Sequence, residues 1–141
     1  MGVMMSQFGV TGRVPRVLYV DSDPLSRRLA ECYCLASGWA LMTAATGAEA
    51  VSLAGEATYS AIACNAVLDD MTGLELGQAI RDRAFANRRT PLFVVTSSAE
   101  LVNKVQAERI GVREVLEHPI SLTRFQDTVR RLNSRTPALV A

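Results

Sequence analysis

The chain has one histidine, three cysteines and hardly any net charge, and each shortage excludes something. Cys32, Cys34 and Cys64 are odd in number and show no C-x-x-C spacing. Cys32 and Cys34 stand two apart on a predicted helix and so point to different faces. No metal site or disulfide framework is expected, only buried thiols of a reducing cytosol. A formal net charge of +1 argues against electrostatic capture of nucleic acid or an anionic membrane. No apolar run approaches the ~20 residues that span a bilayer. No Gly-rich phosphate loop follows the first predicted strand, where the residues are DSDPLSRR, so a small-ligand binder of that kind is disfavoured. The opening MGVMMS matches a short, permissive acylation pattern and is taken as chance.

What is present is a well-patterned 141-residue chain, 49% apolar and 21% charged. That length suits one domain able to bury roughly two thirds of its unfolded surface. Residues 1–14 and 134–141 read as tails, and 15–133 as the domain. Within it, apolar strands alternate with amphipathic helices. RVLYV (Arg16 to Val20) is a buried strand. Asp23 and Pro24 start a helix as N-cap and first helical residue. That helix is predicted to run to Ser37, with Leu25, Leu29, Cys32, Tyr33 and Ala36 on one core-facing side and Gly38 ending it. Trp39 to Ala44 is a second strand. Thr46 and Glu49 form a capping box for a helix to about Glu56.

AIAC, ending at Asn65, is a third strand. A loop with Asp69 and Asp70 follows, then a helix from Gly73 to about Phe85. LFVVT, ending at Thr96, is the fourth strand. Ser97 or Ser98 is expected to cap a helix from Ala99 to Ile110. REVLE is a fifth strand stopped by His118 and Pro119. Ser121 caps a last helix carrying Leu122, Phe125, Val129 and Leu132 as a core stripe. Five βα units imply an α/β fold with a five-stranded parallel sheet, helices on both faces and strand order 2-1-3-4-5.

Several segments in this order resemble the receiver domain of bacterial two-component response regulators, the CheY-like fold. They are VLYVDSDPLSRRL, TGAEA, MTGLEL, FVVTSSAE and GVREVLEHPIS. The likeness covers roughly residues 15–133. It implies a cytoplasmic signalling module without catalytic residues of its own, which takes a phosphoryl group from a histidine kinase onto an aspartate ending the third strand. At that position stands Asn65. Of the acidic pair that holds Mg²⁺, the matching residues are Asp21 and Ser22. The family lysine before proline is matched by His118 and the aromatic switch residue by Val115. A loop proline is matched by Asp69. The hydroxyl on the fourth strand is kept as Thr96, followed by Ser97.

These departures have chemical meaning. An amide is not a nucleophile of the carboxylate kind, so Asn65 is not expected to accept a phosphoryl group. Mg²⁺ prefers carboxylates, and only Asp21 remains, with neutral oxygens from Ser22 and Asn65, so Mg²⁺ binding is expected to be weak or absent. Asp23 is assigned to capping. His118 lacks the permanent charge and reach of lysine and is expected to bond to backbone or water. Thr96 is a candidate partner for Asn65 across the crevice. Asp69 and Asp70 are expected to be solvated.

Two readings follow. One is a degenerate receiver acting as a phosphorylation-independent protein-interaction module. Its partner (a kinase, an output protein or a second copy) would dock along Ala99 to Leu132, with Asn103, Lys104, Arg113, Glu114 and Arg124 as exposed candidates. The alternative is a receiver that still accepts a phosphoryl group through Asp21, Asp69 or Asp70.

Overall fold

The structure, a computed structural model, describes residues 14–134. The expected tails fall outside the described residues except for their innermost members, and the MGVMMS pattern lies outside them entirely. The strands are Arg16–Val20 (β1), Ala40–Ala44 (β2), Ala61–Asn65 (β3), Leu92–Thr96 (β4) and Val112–Glu117 (β5). The helices are Pro24–Ser37 (α1), Gly47–Glu56 (α2), Gly73–Arg83 (α3), Lys104–Ile110 (α4) and Leu122–Ser134 (α5). All strand pairs are parallel, in the order β2-β1-β3-β4-β5. β1 feeds β2 on one side and pairs with β3 on the other, so the strand order reverses between β1 and β3. Ligand crevices of open α/β sheets lie at that point, beyond the carboxyl ends of the strands.

The strands read as continuous apolar runs because both faces are covered. On one face Leu18, Ile62, Cys64, Leu92 and Val94 pack against Ala50, Leu76, Ile80 and Ala107 of α2, α3 and α4. On the other, Val17, Tyr19, Ala63, Phe93 and Val95 pack against Ala30 and Cys34 of α1 and Phe125, Val129 and Leu132 of α5. The α5 stripe is as expected, and Ser121 caps that helix by accepting the Arg124 N–H.

The expected inner face of α1 is wrong. Leu25 is 76% exposed and Leu29 45%, and Cys32 and Ala36 are exposed as well. Ala30 and Cys34 turn inward instead. Small side chains let the helix lie close to the sheet, and Tyr33 reaches across to donate to the Ile120 carbonyl at 2.6 Å and to pack its ring at a tilt against Phe125. The expected apolar face, Tyr33 apart, is not the one that packs on the sheet. With it falls the expectation that all three thiols are buried, since Cys32 is exposed while Cys34 and Cys64 are buried.

The fourth helix also differs. Ala99–Leu101 is a single 3₁₀ turn, and α4 starts only at Lys104 because the Asn103 side chain accepts the Gln106 N–H and caps it there. Ser98 makes no side-chain cap. The α2 box is modified too. Thr46 accepts from Glu49 as expected, but the Glu49 carboxylate takes the Ala45 N–H, one residue earlier than the standard pattern. A complete capping box, Thr72 with Glu75, opens α3. It repeats the T-G-x-E pattern of residues 46–49 and was legible on the same grounds.

Candidate functional site at the carboxyl ends of β1 and β3

Asp21 follows β1 and is 1% exposed. A buried carboxylate is costly unless it is bonded, and this one has donors on both oxygens. Oδ1 accepts the Asp23 N–H at 3.0 Å and the Asn65 side-chain amide at 3.1 Å. Oδ2 accepts the Tyr19 hydroxyl at 3.2 Å. Burial, with the Asp21 charge and hydrogen bond behind it, pushes the Tyr19 phenol well above its ordinary pKa, so it stays a donor. Burial also pushes the neighbouring Cys64 thiol up to about 12, with the Asp21 charge adding to it. That thiol is therefore neutral and unreactive. The Arg27 guanidinium, half-buried on the inner side of α1, donates to the Asp21 carbonyl at 2.7 Å.

Asn65 ends β3 because its strand stops against the start of α3. The Gly73 N–H donates to the Ala66 carbonyl at 2.8 Å. A Cβ on Gly73 would lie 2.6 Å from the Asn65 carbonyl oxygen, so glycine is what lets α3 begin so near. The Asn65 side-chain oxygen accepts only a long bond, 3.4 Å, from Val67 N–H. Asp23 caps α1 as expected, accepting from the Leu25 N–H and the Ser26 hydroxyl.

Ser22 does not face Asn65. Its hydroxyl donates to the Ala45 carbonyl at 2.9 Å and accepts the Asp69 N–H at 3.0 Å, tying together the loops after β1, β2 and β3. Asp70 is exposed but not merely solvated. Its two oxygens accept the Gly47 and Ala48 N–H groups at 2.9 and 3.0 Å, where the α2 N-terminus offers unpaired donors. Those bonds hold its carboxyl below the usual carboxylate range. Asp69 is exposed and lends only its backbone.

Asn65, Thr96, Ser97 and His118 share a cleft of about 790 Å³ that opens between α3 and α4. Thr96 does not bond Asn65. Its hydroxyl donates to the Ser98 carbonyl and accepts the Ser98 N–H, both at 3.2 Å, because the chain turns sharply there and the nearest partners are local. His118 is exposed; its backbone N–H donates to the Thr96 carbonyl, and its bond to Pro119 is cis. Val115 is half-buried and packs against the core. Sequence reasoning missed Arg27 and the reach of Asp70. The Asp70 bonds span more than twenty residues and leave no local pattern, and the Arg27 bond, though only six residues long, goes to a backbone carbonyl and matches no capping motif.

A family model, the response regulator receiver domain, matches residues 17–130. The chain belongs to that family. This receiver domain is 27% identical over 124 residues to the transcriptional regulatory protein SrrA of Staphylococcus aureus, a match covering 85% of the chain and 50% of that protein. The chain thus spans about half the length of the curated relatives it matches. Among solved structures, Vibrio cholerae chemotaxis protein CheY4 matches with a TM-score of 0.78 and 25% identity, over 84% of this chain and 98% of that one. The receiver domain of sensor histidine kinase PA1611 from Pseudomonas aeruginosa, with a magnesium ion coordinated in its active-site cleft, matches with a TM-score of 0.76 and 22% identity, over 85% and 98%.

Along α4, β5 and α5 of the receiver domain, several candidate docking residues already have partners, and Asn103 also lines the cleft that holds Asn65. Asn103 caps α4. Glu114 takes Arg131 at 2.6 Å and Arg124 at 4.0 Å, which fastens β5 to α5. Lys104 and Arg113 are exposed. Among the described residues no helix is long and apolar enough to cross a membrane.

Proposed function

We propose that this receiver domain works as a phosphorylation-independent protein-interaction module in two-component signalling. The observation that carries the reading is the Asn65 amide, at the position matching the family phosphoacceptor, donating to Asp21 at 3.1 Å. An amide there has no oxyanion to attack a phosphoryl donor. The remaining departures point the same way. Ser22 is committed to two loop contacts, Thr96 is turned to its own loop, and no permanent side-chain charge stands at position 118 to meet a phosphoryl group.

Mg²⁺, which the family pocket holds, does not fit the donor set. It seeks several oxygens in octahedral geometry and favours carboxylates. Here both oxygens of the lone inner carboxylate already accept hydrogen bonds, and no group of three His, Cys, Asp or Glu side chains among the described residues faces a common centre. Partner choice then rests on the surface from Ala99 to Leu132, where a kinase, an output protein or a second copy of the chain would dock.

Incubation with acetyl phosphate and Mg²⁺, followed by intact mass measurement, tests the reading. The expected result is unmodified protein. A stoichiometric phosphoryl adduct, mapped to Asp21, Asp69 or Asp70, would overturn it in favour of a receiver with a relocated acceptor.

A further inference from the structure

When carboxylates stand both after β1 and at the end of β3, two negative charges face each other across about 3 Å, as the separation of Asp21 and Asn65 shows here. Like charges that close cannot both persist without a proton or a cation between them. In this chain the second charge is gone and a donor stands in its place. The orientation of the amide follows from its partner. Oxygen turned toward Oδ1 of Asp21 would set acceptor against acceptor, whereas nitrogen makes a charge-assisted hydrogen bond.

We infer that the Asn65 amide takes the place of the divalent cation, so that the pocket is preset in a cation-free state and a single substitution, Asn65→Asp, would convert it to a cation-requiring one. The inference rests on the assignment of the Asp21–Asn65 pair to the receiver pocket made above. The rest of the pocket agrees with it. Tyr19, Asp23 and Asn65 together give the buried Asp21 carboxylate three donors, and Arg27 adds positive charge at its backbone carbonyl. A cation entering the natural pocket would have to displace donors from the one carboxylate it meets, and would gain no second one. Asn65→Asp removes one donor and returns a facing carboxylate at almost unchanged volume. The pair then repels until a divalent ion bridges it.

Thermal unfolding of the full chain tests this, in EDTA and then in excess MgCl₂ or MnCl₂ at matched ionic strength. The natural chain is expected to keep the same Tm in all conditions. Asn65→Asp is expected to lose roughly 5–10 °C in EDTA and to regain most of it with either cation. Asn65→Leu, which removes the donor without adding charge, is expected to lose stability and regain none. A cation-dependent rise in the natural chain as large as that of Asn65→Asp would overturn the inference, and so would an Asn65→Asp protein indifferent to cations. Should Asn65→Asp fail to fold, electron paramagnetic resonance of Mn²⁺ mixed with the natural chain decides. An undiminished free-ion signal supports the inference, and uptake of one ion per chain overturns it. No phosphodonor enters these measurements. A phosphoryl adduct would therefore sink the proposed function and leave this result standing, while cation binding by the natural chain would do the reverse.

Discussion

Two asparagines close opposite ends of the same sheet and are bonded very differently. Asn87 lies where β3 and β4 begin and is completely buried. Its oxygen accepts the Tyr59 N–H at 2.9 Å and the Thr90 hydroxyl at 2.8 Å, and its nitrogen donates to the Ala54 and Ala57 carbonyls at 2.6 and 2.7 Å. Two donors and two lone pairs are all that an amide side chain has, so Asn87 is saturated. Arg81 locks the same corner from outside, donating to the carbonyls of Asn87, Thr90 and Ile110. Asn65, where β3 ends, spends one donor on Asp21 and receives one long bond. Its remaining donor and lone pair lie at the cleft. The same side chain is a structural bolt at one end of the sheet and an open valence at the other. That is the expected division of labour in a fold whose crevice lies at the carboxyl ends of its strands.

The largest expected effect is at the saturated end. Asn87→Ala strands a buried N–H and two carbonyls and leaves the Thr90 hydroxyl only its long bond to the Tyr59 carbonyl, and an unsatisfied buried group costs about 1–3 kcal/mol. A total loss of about 3–5 kcal/mol in urea unfolding is therefore expected, near the top of the range for single substitutions. A loss below about 1 kcal/mol would erase the contrast between the two ends.

Next comes Gly73→Ala. Its methyl group would press on the Asn65 carbonyl, a backbone atom that cannot rotate away. Forcing atoms into a packed site costs about 1–3 kcal/mol. The amide and carbonyl resonances of Asn65 and Ala66 are expected to shift, while those of Tyr59 and Asn87 stay fixed. Shifts spread evenly over both ends would show that the ends are mechanically coupled.

The smallest effect is at the rim. Native Asp70 has a lowered pKa, so the unfolded chain binds its proton more readily than the native one. Its contribution is present above the unfolded carboxylate value, about pH 4, and disappears as pH falls through the lower native value. Asp70→Asn is expected to lose a little stability at neutral pH and to show a shallower loss in acid than the parent. Parallel acid limbs for the two proteins would remove Asp70 from the account.

The legibility of these features follows their range along the chain. The caps at Asp23, Thr46 and Ser121 and the α5 stripe rest on neighbours two to four residues apart and were read correctly, while the strand order followed from the succession of five βα units. The positions of Asp21, Asn65, Thr96 and His118 around one crevice came from resemblance and order of elements. Their bonding did not. Thr96 turned to Ser98, a choice set by the local path of the chain. Asn87 has no sequence signal, because all its side-chain partners except Thr90 lie about thirty residues upstream. The α1 stripe failed for a different reason. Its bulky residues have helical spacing, but spacing alone does not say which side faces the sheet. There the small side chains of Ala30 and Cys34 won, since close approach over β1 and β2 favours them.

Ser22 gives the rim an unusual mechanical property. Its hydroxyl joins the first loop to the second and to the third, and Asp70 joins the third to α2, which the second loop leads into. Three segments pinned pairwise form a triangle, the smallest frame that cannot shear without stretching a side. A load applied to the β3–α3 loop is therefore carried into α2 and the start of α1, unless one of four hydrogen bonds gives way first.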